Sequence, residues 1–168
     1  MYDNSLWNFA VSYYRDQDIQ EQCLLLQEAC DADIPLVIFS LWLSTKSVRI
    51  DLAEWQQVFN EIDTWRKKVV MPLRDLRKQL KLGPTPAPCN DTNELREMIK
   101  LAELNAEKIE LNQLESQLED KKIEQNLDFN TLAKFNLDQI LARFSCNQNP
   151  SLAKNASNIL LERLKNYG

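Results

Sequence analysis

Three arginines, Arg66, Arg74 and Arg77, fall on one side of a helical wheel drawn through residues 66–81, beside Lys67, Lys78 and Lys81. A guanidinium fork suits phosphates and carboxylates, so this face could hold an anionic ligand or an acidic partner protein. Further along, Glu103, Glu107 and Glu110 stand at i, i+4 and i+7, which places three carboxylates on one side of a helix. Carboxylates so placed can bind Mg²⁺ or, with histidines, a di-iron centre. The chain has no histidine, which closes the di-iron option and all imidazole acid–base chemistry. A solvated glutamate face accounts for the same row without a metal, and neither a metal site nor a cofactor is expected. Asp33 reads first as a helix cap and only second as a ligand.

Other routes to catalysis are thin. A serine nucleophile needs a base and an oriented partner, a phosphate loop needs glycines, and the chain has only two glycines. No catalytic residue is assigned. Cys23, Cys30, Cys89 and Cys146 are scattered without a Cys-x-x-Cys pair, so they are expected to be reduced and structural. A net charge of −5 and a pI near 4.9 give no general attraction to a phosphate backbone, and no nucleic acid is expected as a partner. The first residues carry no basic stretch followed by an apolar run, and the run from Ile34 to Leu43 is about half of a bilayer span. A soluble cytoplasmic protein without membrane attachment is the expectation.

The elements that must position these residues read as helices throughout, because alternating β-branched runs are missing. Apolar residues make up 44% and charged residues 27%, a globular composition. Over 168 residues this suggests one all-α domain, a bundle of about seven helices around a buried central helix at 34–44. That central stretch is apolar on every side and must be covered on every side. Asp33 would cap it, with Pro35 in its first turn.

Ahead of it, helices are expected from a cap in residues 3–5 to about Arg15, and from Ile19 to Cys30. Behind it, Asp51-Leu52-Ala53-Glu54 is an acidic version of the capping box. Trp55, Phe59, Ile62, Trp65 and Val69 would form that helix's buried stripe, and Leu73, Leu76 and Leu80 would extend it past a kink at Pro72. A proline-rich connector over residues 83–92 divides an N-terminal half (1–82) from a C-terminal half (93–168).

A long helix to about Gln125 then carries two apolar stripes. One is Leu95, Ile99, Ala102, Ala106 and Ile109; the other is Leu101, Leu104, Leu111 and Leu118. Two stripes call for two neighbours. Residues 94–128 hold ten acidic side chains, Glu119 and Asp120 among them, against five basic ones. A hairpin across the connector would therefore lay an acidic helix on the basic one. Two more helices follow, Leu132 to Phe144 and one after Pro150.

The ordered set Leu6-Trp7-x-Phe9, Cys23-Leu24-x-Leu26-Gln27, Phe39-x-x-Trp42-Leu43, Trp65-x6-Pro72-Leu73-Arg74-x-x-Arg77 and Ala102-Glu103-Leu104-x-Ala106-Glu107 resembles a family of small proteobacterial conserved proteins of unknown function. It spans most of residues 5–111, and the two C-terminal helices look similar as well. This chain departs from the family pattern at Pro35, where the pattern has Asn, and at Gln17-Asp18, where it has Pro-Gly. The resemblance implies helices and a cytoplasmic setting and brings no activity.

Two functions follow as expectations. The first is a non-catalytic cytoplasmic protein acting through protein contacts, using the Arg66, Arg74 and Arg77 surface or an acidic face. The alternative is a helical-bundle enzyme or binder for a phosphorylated small molecule, with Arg74 and Arg77 on phosphate and Glu103 and Glu107 on Mg²⁺. Any function is expected at the rim, where Asp33 and the Arg74 side of the kinked helix approach each other. The oligomeric state does not follow from the sequence.

Overall fold

A computed structural model describes residues 5–118, 121 and 123–167. It is all-α, and among the described residues the only extended pairing is a single bridge between Val48 and Ile123. The helices are α1 (Leu6–Tyr13), α2 (Gln17–Cys30), α3 (Ile34–Thr45), α4 (Leu52–Trp65), α5 (Met71–Gln79), α6 (Asn90–Ser116), α7 (Phe129–Leu141) and α8 (Pro150–Leu164). A π-helical turn, Arg66–Val70, joins α4 to α5, so the eight segments make seven rods.

The central helix α3 is buried from Ile34 through Ser44. It packs against α1, α6 and α7, while α2 packs on α8. Phe39 and Trp55 meet edge to face with centroids 6.0 Å apart. Covering α3 on all sides is what its uniformly apolar sequence requires. Asp33 caps it by accepting from Leu36 N–H at 3.3 Å, with Pro35 in the first turn. The acidic capping box of α4 is present, with Asp51 accepting from Glu54 N–H and Glu54 accepting from Asp51 N–H, both at 3.0 Å.

Several boundaries and faces differ from expectation, each for a physical reason. α1 ends at Tyr13 and is capped by Ser5; Asp3 and Asn4 lie outside the described residues. α2 begins at Gln17 because Asp16 accepts from Asp18 N–H, so Gln17-Asp18 is a helix start and not a turn. α6 starts at Asn90, just before the expected Asp91-Thr92-Asn93, because Thr92 and Cys89 close its first turn. It ends at Ser116, well short of Gln125. Beyond it Glu124 N–H donates to Ser47 O and Lys121 pairs with Glu54, which draws the chain toward the end of α3; Glu119 and Asp120 lie outside the described residues. α7 starts at Phe129, capped by Asp128.

The bend expected at Pro72 takes the form of the π turn. Met71 N–H bonds back to Arg66 O, five residues earlier. One extra residue in the turn advances the helical phase by about 100°. Val70 is consequently buried in place of Val69, Leu76 is exposed, and the inward position of α5 falls to Arg74.

Candidate functional site

The phase shift brings the charged residues inward. Asp33, Arg66, Arg74, Arg77, Glu103, Glu107 and Glu110 converge where α3, the π turn, α5 and α6 meet. Lys67, Lys78 and Lys81 stay exposed, so the single basic face expected from the wheel is split in two. The three arginines point into the protein and the three lysines into solvent.

Each guanidinium has an acidic partner. Arg74 Nε donates to Glu103 Oε1 at 3.0 Å, and its Nη2 donates to Glu107 Oε1 at 2.6 Å. Arg77 grips Glu103 with two donors, Nε on Oε2 and Nη2 on Oε1 at 3.2 Å. Arg66 Nε donates to Asp33 Oδ2, while the other Asp33 oxygen caps α3. Asp33 is 1% exposed and therefore lies beneath the surface, not at the rim where it was expected. Trp65 closes one side by donating Nε1–H to Ala106 O at 3.0 Å. The acidic helix thus lies against the arginine side of α5 across the proline-rich connector, and these contacts consume the forks.

Glu110 is the residue whose role spacing did not reveal. It is completely buried, and among the described residues neither carboxylate oxygen has a hydrogen-bond partner. Burial, reinforced by the nearby charges of Asp33 and Glu107, pushes its pKa up to about 9. It is therefore a neutral acid at pH 7. Apart from Glu110, the cluster sets three guanidiniums, Arg66, Arg74 and Arg77, against three carboxyl partners, Asp33, Glu103 and Glu107. Burial also tends to raise Glu103, but hydrogen bonds from Arg77 and Arg74 outweigh it and hold that carboxyl below the usual range. Glu107 goes the other way: burial and the Glu103 charge outweigh Arg74 and raise it. The one available signal was the heptad offset of Glu110 from Glu103, which repeats an inward position on α6.

A groove of about 760 Å³ opens beside this cluster. Leu24 and Gln27 of α2, Leu101 and Leu104 of α6, Val11 of α1, Tyr14 just after it and Ile38 of α3 line it. Arg77, Glu103 and Glu107 supply its polar end. Glu107 is partly exposed there, and its Oε2 takes no hydrogen bond among the described residues. Leu24 is half exposed because it lines this groove. Among the described residues no group of three acidic or cysteine side chains stands close enough to hold a metal ion. No helix among them is long and apolar enough to cross a membrane.

The cysteines divide three to one. Cys23, Cys30 and Cys146 are buried free thiols, and burial raises the pKa of Cys23 and Cys146 to about 12, assisted at Cys146 by Cys30. Cys89 is exposed, and its sulfur accepts a hydrogen bond from Thr92 that lowers its pKa.

No curated protein and no solved structure shows significant similarity to the chain. A family model described as "Protein of unknown function (DUF2390)" matches residues 5–114, from the N-cap of α1 to the last buried leucine of α6, with α7 and α8 beyond it. That match takes in every residue of the charged cluster and every wall of the groove, and by it the chain belongs to the DUF2390 family.

Proposed function

We propose that this is a non-catalytic cytoplasmic protein of bacteria that works by contact with another protein, with both helical halves acting as one domain. The contact is a helix of the partner lying in the groove between α2 and α6. One observation supports this reading above the others. The arginines that would grip a phosphate already hold Glu103 and Glu107, while a largely apolar groove stays open beside them. A partner helix with apolar side chains at i, i+3, i+4 and i+7 fits such walls. A lysine or arginine on that helix would meet Oε2 of Glu107, the oxygen that Arg74 does not hold.

The test places a photoreactive phenylalanine analogue at Leu24 of the full chain and, as a control, at the outlying Leu82. After irradiation in cells, adduct peptides are identified by mass spectrometry. The expected result is one recurring amphipathic peptide with a basic residue, captured from position 24 and not from 82. Its yield should fall about tenfold in Glu107→Gln, the loss of one charge-assisted contact. Capture of unrelated peptides equally from both positions would contradict the proposal.

A further inference from the structure

α6 presents a second apolar surface that the fold leaves uncovered. Leu95, Met98, Ala102, Asn105 and Ile109 are all exposed, and their spacing of three, four, three and four residues is that of a coiled-coil seam. Met98 is 68% exposed, and Leu95 and Ile109 are each 46% exposed. The two stripes of this helix called for two neighbours. Its buried side has α5, the π turn and α3, and among the described residues nothing lies over the seam.

We infer that the seam pairs with the same seam of a second copy, antiparallel, to form a two-fold dimer. The flanking charges select both the occupant and the direction. Glu94 and Lys108 flank the seam on one side, both exposed. A two-fold axis near residue 101 sets Glu94 of each copy opposite Lys108 of the other, two opposite-charge contacts from one chain sequence. The same axis packs Met98 onto Ala102, whose small side chain lets the helices approach. A parallel pairing would turn Glu94 toward Ile99, which is already buried within its own chain, and Lys108 toward Gln113, and neither offers a charge. Lys108 is held in place from below, its Nζ 4.8 Å from the centre of the Trp7 ring.

The seam from residue 95 to 109 is about 21 Å long. One helix seam per copy makes an interface at the low end of specific contacts, so association is expected in the micromolar range, with a dissociation constant of roughly 10 μM. The seam meets the groove at Leu101 and at Trp7 beneath Lys108, both left unchanged in the test. A failed dimer therefore leaves the partner-helix reading standing, and the reverse also holds.

Sedimentation velocity on the full chain from about 2 to about 200 μM reads the association directly. Wild type is expected to pass from monomer to dimer across that range. Met98→Glu should weaken association at least tenfold. E94K and K108E should each weaken self-association about threefold, through like charges facing one another at both flanks. An equimolar mixture of the E94K chain and the K108E chain should dimerise as well as wild type, since each supplies the charge the other lacks. Because all three positions are exposed, circular dichroism should be unchanged. A chain that stays monomeric at 200 μM would overturn the inference. So would a dimer that survives Met98→Glu, or a variant mixture that associates no better than either variant alone.

Discussion

Glu110 is the most informative single residue, because a buried acid with no partner acts on stability through its proton. Its folded pKa, about 9, lies above the ordinary value of 4.5. Between those values the unfolded chain releases a proton that the folded chain keeps, so stability falls as pH rises through that window and is greatest below it. Glu110→Gln keeps the shape and removes the titration. It is expected to raise the melting temperature at pH 8 and to flatten the decline between about pH 5 and 9; an unchanged profile in urea titrations across that range would contradict this. Helical spacing brought Arg66, Arg74, Arg77, Glu103 and Glu107 forward, a capping position brought Asp33, and these six side chains do converge in space. What spacing could not convey was direction. A charge run on a helix is ordinarily solvated, and the π turn together with the packing of α3 and α5 against α6 brings these side chains inward, Glu110 among them.

At the scale of elements, the π turn decides which way α5 faces. The positions of α3 and its cap, and the α4 capping box, were legible because local hydrogen bonds fix them. The phase of α5 was not, since a proline predicts a bend but not an added residue in the turn before it. Deleting Val69 should restore an ordinary α-helical turn and rotate α5 by about 100°, carrying Arg74 and Arg77 away from Glu103. Each residual buried charge is then uncompensated, and a stability loss of about 3–5 kcal/mol is expected. A deletion that leaves chemical denaturation unchanged would mean that α5 is not held by this turn. The early end of α6 has a related cause. Strong helix formers run on past Ser116, but tertiary contacts from Glu124 to Ser47 after α3 and from Lys121 to Glu54 at the start of α4 outweigh local propensity.

In the molecule as a whole, the two sequence halves interlock on both sides of the proline-rich connector. α3 packs on α7 and α2 on α8, and buried Asn136 of α7 donates to Val48 O at 2.8 Å and accepts from Ile50 N–H at 3.3 Å. The all-α class and the central place of α3 were readable from the sequence, because an all-apolar helix admits few alternatives. Pairing across the connector was readable only as charge complementarity, which sets sign but not geometry. The central proposal is that the arginines of the charged cluster hold the fold together and do not grip a phosphate. A double-mutant cycle on Arg74 and Glu103, read by chemical denaturation with and without added diphosphate, tests it most directly. Arg74→Met and Glu103→Leu should each lose about 3–5 kcal/mol, and the double variant should recover most of that loss, because two apolar side chains replace a buried pair more readily than one charge is left alone. Diphosphate should leave wild type unmoved. Small additive losses, together with stabilisation of wild type by diphosphate that disappears in Arg74→Met, would contradict the claim.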